Sequence, residues 1–219
     1  MAISNRPCTR PGDVKLLFYF NGLNSGIPGD LGENPKIAEV EGLARRQGFE
    51  FIPLSIDYRK AEQHCEDILG RIDPDAEYVL FWGSSMGGWF ARIMQLRLAA
   101  VRPGLRVEAA AYNPAFDLSE HNHLLLGPQE HKLSLEKYDW TPEFSAGLVR
   151  LEQSVDYDAD LPYTVYVDRE DEVIDASMSE SRLGPIARFV VYEGGSHSFE
   201  HYREAVEDFE NGCGFHAGQ

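Results

Sequence analysis

The sequence predicts an α/β fold: a mostly parallel, doubly wound sheet with a small cap-like insertion. Three observations carry this. Strand and helix patterns alternate along the chain. The strands are near-continuous apolar runs, as expected when both faces of a sheet are covered. The residues best suited to chemistry all fall just past strand ends, where sites in such sheets lie. In order, strands are expected at about 14–20, 50–56, 77–82, 106–112, 162–168 and 187–192. Helices are expected at about 35–47, 59–71, 85–101, 175–183 and 199–210. Only residues 114–150 break the rhythm. The 219 residues are expected to form one domain, with 114–150 as its possible cap segment.

Composition narrows the function classes. The formal net charge is −16, and residues 151–219 hold sixteen acidic against four basic side chains. Such a surface repels nucleic acid and anionic membranes, and it disfavours strongly anionic substrates. Three widely spaced cysteines, Cys8, Cys65 and Cys213, make no disulfide framework or zinc ribbon. The first twelve residues lack the apolar core of a secretory leader, and no run approaches a membrane span, so a cytoplasmic protein is expected.

Residues Gly83-Ser84-Ser85-Met86-Gly87 form a G-x-S-x-G run. It follows the apolar stretch Tyr78–Trp82 and leads into the helical pattern from Gly88. A serine on a sharp strand-to-helix turn presents its hydroxyl in strained backbone geometry, and the flanking glycines let the turn close. The N–H of the next residue, Met86, then faces the reacting centre at a helix start. A Gly/Ser loop without chemistry is the alternative, disfavoured by the strand before and the helix after.

A serine needs a base. The strand at Tyr163–Val167 runs into Asp168-Arg169-Glu170-Asp171-Glu172-Val173-Ile174-Asp175. The last strand ends in Glu193-Gly194-Gly195-Ser196-His197-Ser198-Phe199. The order serine, carboxylate, histidine is therefore present, with His197 as base. Asp171, ahead of Glu172-Val173-Ile174, is the expected orienter of the imidazole, and Asp175 is the alternative. The remaining acids of this run read as a solvated loop. The second oxyanion donor is expected after the first strand, at Asn21-Gly22-Leu23-Asn24-Ser25, with the N–H of Leu23 beside that of Met86. An ordinary Asn-Gly turn is the plainer reading.

The other histidines, His64, His121, His123, His131, His201 and His216, read as surface or partly packed side chains. His121-x-His123 with His131 lacks a zinc-site spacing, so neither metal nor cofactor is expected. Within 114–150, Leu124-Leu125-Leu126, Tyr138, Trp140 and Phe144 suit either a cap lining an acyl pocket or a long connection with its own small core. Trp140 and Asn113, in Tyr112-Asn113-Pro114-Ala115, are the expected substrate contacts; Asn113 alternatively closes a turn before Pro114.

With these motifs in hand, the chain resembles a small bacterial group of alpha/beta-hydrolases, the YqiA-like esterases. The Gly83–Trp89, Tyr112–Ala115, Asp171–Asp175 and Glu193–Phe199 blocks carry the likeness. It implies an alpha/beta-hydrolase fold, with Ser85 as nucleophile, Asp171 as acid and His197 as base. It also implies action on short acyl esters, and on acyl thioesters, as small-molecule partners. Two departures stand out. Asn21 replaces the usual histidine of the oxyanion segment, which an extra stretch, Gly26–Pro35, follows; and the middle segment carries additional residues, among them His131-Lys132-Leu133-Ser134. A serine esterase is the expected function. An acyltransferase or amidase using the same residues, and a non-catalytic binding protein on this scaffold, are the alternatives.

Overall fold

The computed structural model describes residues 14–212. Six strands form one all-parallel sheet: β1 (Val14–Phe20), β2 (Glu50–Leu54), β3 (Ala76–Ser84), β4 (Arg106–Tyr112), β7 (Tyr163–Asp168) and β8 (Arg188–Tyr192). Their spatial order is β2-β1-β3-β4-β7-β8. Helices α1 (Pro35–Gln47) and α7 (Tyr202–Gly212) cover one face. Helices α2 (Ala61–Leu69), α3 (Met86–Val101), α5 (Pro142–Gln153) and α6 (Ala176–Leu183) pack on the other. The fold is the mostly parallel, doubly wound sheet that the alternation predicts.

Period-two geometry divides β1 between the two cores. Leu16, Phe18 and Phe20 face one, Leu17 and Tyr19 the other. Helix α3 is largely apolar and is buried on every side from Met86 to Leu96; only its last turn reaches solvent. Its one buried guanidinium, Arg92, bonds the carbonyls of Tyr157 and Ala159 and the side chain of Gln95. Gln95 in turn donates to the Pro162 carbonyl, so these two polar side chains fix the entry into β7.

The chain leaves β1 toward β2 on one side and leaves β3 toward β4 on the other. A crevice opens at such a switch point, outside the carboxyl ends of the strands. The β1/β3 register, Phe20 opposite Gly83, sets Asn21-Gly22 beside Ser84-Ser85 at that crevice.

Residues 114–150 are more ordered than their sequence suggests. They hold a short helix α4 (Leu118–His121), a 3₁₀ turn (Asn122–Leu125), an antiparallel hairpin of β5 (Gly127–Glu130) and β6 (Lys137–Trp140), and most of α5. Thr141-Pro142 starts α5, proline being tolerated at the first helical position. The predicted final helix begins three residues late, at Tyr202, because Phe199 takes φ of 60° and breaks the helical path.

Candidate active site

Ser85 sits between β3 and α3 with φ 56° and ψ −123°, a conformation costly for any residue with a Cβ. Its neighbours enforce it. The Ser85 N–H donates to the Tyr112 carbonyl at 2.9 Å, extending the β3–β4 ladder by one residue. The Ser85 carbonyl accepts from Gly88 and Ala115, at 2.9 and 3.1 Å. A side chain at Gly83 would strike the backbone of Gly87, and one at Gly87 would strike the Phe20 and Asn21 carbonyls. Glycines at these two positions are thus a steric requirement of the turn.

The hydroxyl, imidazole and carboxylate expected from sequence meet. Ser85 Oγ lies 3.1 Å from His197 Nε2. His197 Nδ1 lies 2.9 and 3.0 Å from the two oxygens of Asp171, so the neutral ring carries its proton on Nδ1 and offers Nε2 as acceptor to the serine. Asp171 is 9 % exposed, and its Oδ1 also accepts the N–H groups of Val173 and Ile174, each at 2.8 Å. Those bonds hold the carboxylate in place. Asp175, the alternative, is spent on capping α6, accepting from the N–H groups of Ser177 and Met178.

Two devices hold the histidine loop that sequence reading missed. The fully buried Asp168 accepts the N–H groups of Ser196 and Glu200 and pairs with His201 Nδ1 at 2.7 Å. Gly195 runs so close beneath it, at φ 77°, that a Cβ would overlap the Asp168 carboxylate. Glu172 accepts the His197 N–H at 2.9 Å, a bond that lowers its pKa. The only hint in the sequence was the density of acids after β7.

Asn21 ties down the loop after β1. Its Oδ1 accepts the Ile56 N–H at 2.7 Å, and its carbonyl accepts from Tyr58 Oη. This anchors Gly22, whose Cα passes close enough to Ser85 that a Cβ would lie 3.3 Å from the serine Cβ. Leu23 and Met86 both line the cavity beside Ser85. Among the described residues their N–H groups have no intramolecular acceptor.

That cavity measures about 530 Å³ and opens over Ser85 and His197. Its apolar lining comes from Phe116, Leu118, Leu124 and Leu125 of the middle segment together with Ile174 and Met178. This is enough for a small-molecule acyl chain.

Two expected substrate contacts are corrected. Trp140 does not line the cavity: it is 2 % exposed, belongs to the core under α5, and donates to Ser145 Oγ at 2.9 Å. Asn113 does not line it either. At φ 41° and 1 % exposure it ties loops together, accepting the Asp168 N–H and donating to the Ser196 carbonyl, each at 2.9 Å. Trp140 suits a cap lining by its apolar character and Asn113 by its place at a strand end, but each side chain turns inward to a buried polar partner.

His121 lines the cavity, whereas His123 bonds the Glu120 carbonyl and His131 accepts from the Ser134 N–H. Among the described residues no three His, Cys, Asp or Glu side chains are grouped to hold a metal, and no helix is long and apolar enough to cross a membrane. Cys65 is buried and free, and its thiol is pushed up to about 11, chiefly by burial. Cys8, Cys213 and His216 lie outside the described residues.

No curated protein matches the sequence. Solved structures do. Est1E from Butyrivibrio proteoclasticus superposes with a TM-score of 0.66 at 14 % identity, over 93 % of this chain and 88 % of that one. A putative hydrolase from Agrobacterium vitis S4 gives 0.69 at 17 % identity, over 92 % and 88 %. Mouse alpha/beta hydrolase domain-containing protein 10 gives 0.63 at 17 % identity, over 90 % and 88 %. At such identities the likeness establishes the fold, that of the alpha/beta-hydrolases. The family model described as Uncharacterised protein family (UPF0227) matches residues 16–211. With the fold, the Ser85 turn and that match together, the chain belongs to this family, the YqiA-like proteins.

Proposed function

We propose that the protein is a serine hydrolase that cleaves carboxylic esters or acyl thioesters through an acyl-enzyme. The observation that carries this reading is the hydrogen-bonded chain Ser85–His197–Asp171 beside a cavity with an apolar wall. His197 Nε2 takes the Ser85 proton as Oγ attacks the substrate carbonyl. Asp171 holds the ring and stabilises the imidazolium that forms. The N–H groups of Leu23 and Met86 receive the oxyanion, a contact that strengthens as charge develops. His197 then gives its proton to the departing alcohol or thiol. Water, deprotonated by the same nitrogen, adds to the acyl carbon; as the Ser85 ester bond breaks, His197 returns that proton to Ser85 Oγ, and the acid leaves.

A fluorophosphonate probe is expected to label the wild type and not Ser85→Ala. The same substitution is expected to lower p-nitrophenyl ester turnover by about five or six orders of magnitude. Equal labelling of both proteins refutes the assignment.

A further inference from the structure

The chain has five lysines. Two of them, Lys36 and Lys132, line the cavity over Ser85, and among the described residues no arginine does. In a protein of net charge −16 this is a local reversal of sign. Lys36 is half-buried on the first turn of α1, with Nζ 3.3 Å from Ser84 Oγ. A cation there opposes the positive end of the helix, where an acidic residue is the favoured choice. Lys132 stands exposed at the mouth, on the turn between β5 and β6.

Neither lysine forms an ion pair among the described residues. The nearby carboxylates are otherwise engaged. Asp175 caps α6, Asp171 holds His197, and Asp168 binds His201 and two backbone N–H groups. Burial and the Lys132 charge together bring Lys36 down to about 8, against a weaker opposing pull from Asp168. Two ammonium groups therefore line one cavity without an ion-pair partner among the described residues, one of them partly out of water, an arrangement that an incoming anion relieves.

The placement is built. Lys36 follows directly on the extra Gly26–Pro35 stretch, and Lys132 lies in the extra residues of the middle segment. The loop after β1 and the β5–β6 hairpin are fastened to each other. The Lys132 N–H donates to the Asn24 carbonyl at 2.7 Å, and the Asn24 side chain bonds Gln129 and Tyr138 of the hairpin. Leu133 and His131 pack on Gly26 so closely that a side chain there would meet Leu133.

We propose that the substrate is an ester or thioester bearing an anionic group, a carboxylate or phosphate, which Lys36 and Lys132 receive while an apolar arm lies against Leu118, Leu124 and Leu125. This rests on the hydrolase reading of Ser85 and names the substrate class of that site.

The test compares matched esters. p-Nitrophenyl hydrogen adipate against p-nitrophenyl hexanoate places the charge on the acyl arm; p-butyryloxybenzoate against phenyl butyrate places it on the alcohol arm. In at least one pair the wild type is expected to favour the anionic ester by about tenfold in kcat/KM, chiefly through KM, and less in high salt. Lys36→Gln and Lys132→Gln are each expected to lower that ratio by about fivefold, and Lys132→Glu to invert it. The ratio divides out any general loss of folding or turnover. A preference for the neutral member in both pairs, or a ratio that none of the three variants moves, overturns the proposal. Calorimetric binding of the adipate and hexanoate esters to Ser85→Ala separates the two readings. If no ester is turned over, the Ser85 reading fails, whereas tighter adipate binding that Lys132→Glu abolishes upholds the anion site. Equal binding of both esters refutes it.

Discussion

The loops bearing Ser85 and His197 and the wall built by residues 114–150 face each other across one cavity, yet they are held by different means. The Ser85 turn is locked by backbone: ladder bonds to Tyr112, steric exclusion at Gly83 and Gly87, and the Phe20 and Asn21 carbonyls. The His197 loop is locked by a buried carboxylate under Gly195. The wall is instead suspended from side chains. Glu152 of α5, 8 % exposed, accepts the N–H groups of Leu118 and Ser119 and the indole of Trp89. Arg182 grips Asp117. Leu124 and Leu126 remain largely exposed. The reacting groups thus inherit the rigidity of a parallel sheet, while the surface that meets the substrate depends on a few long-range contacts.

Substitutions break this comparison in graded steps. Asp171→Asn is expected to lower kcat/KM by about 10⁴-fold, with its Tm near that of the wild type, because the histidine tautomer is lost while packing survives. Gly195→Ala follows. Its Cβ overlaps Asp168 at a left-handed backbone position, so turnover is expected to fall about a hundredfold and the Tm by several degrees. Preserved activity would show that the loop tolerates a shift of its anchor.

Glu152→Gln attacks the wall. An amide nitrogen turned toward three N–H donors leaves one or more unpaired, a loss of about 2–3 kcal/mol. Faster proteolytic cutting within 114–150, with fluorophosphonate labelling of Ser85 retained, is the expected pattern. Loss of both together would mean that the two regions are one cooperative unit.

Lys36→Gln has a smaller effect, with a definite sign. The folded-state value of about 8 lies below the unfolded value of about 10.4. Between these the unfolded chain binds more protons, so stability rises with pH across that window, and below it the charged Lys36 destabilises the fold. The variant is therefore expected to melt about 2 °C above the wild type at pH 7, the gap closing by pH 10.5. Smallest of all, Leu124→Ser is expected to leave stability within about 0.5 kcal/mol while raising KM for hydrophobic esters a few-fold.

The fold was legible because its signals are local and repeated. The Tyr78–Trp82 run, the glycines around Ser85 and the β-branched stretch before Asp168 each announce an element by themselves. The meeting of Ser85, Asp171 and His197 followed from topology, since all three end parallel strands on one edge. Asp168 with His201, the turning of Trp140 and Asn113 toward the interior, and the gathering of Lys36 and Lys132 were not legible. The partners of Asp168, of Asn113 and of the two lysines lie some 28 to 96 residues away, beyond any spacing rule, and the bond from Trp140 to Ser145, though local, forms only once α5 packs on the core.

The amino-acid order alone determined the layered architecture and the types of group brought to the sheet's carboxyl edge, because periodicity and turn chemistry act over a few residues. That Asp168 is buried beneath the histidine loop, and which charges line the cavity, was decided only by tertiary structure. Those outcomes turn on burial and on which backbone N–H groups stand within bonding distance, quantities that exist only once the chain has closed on itself.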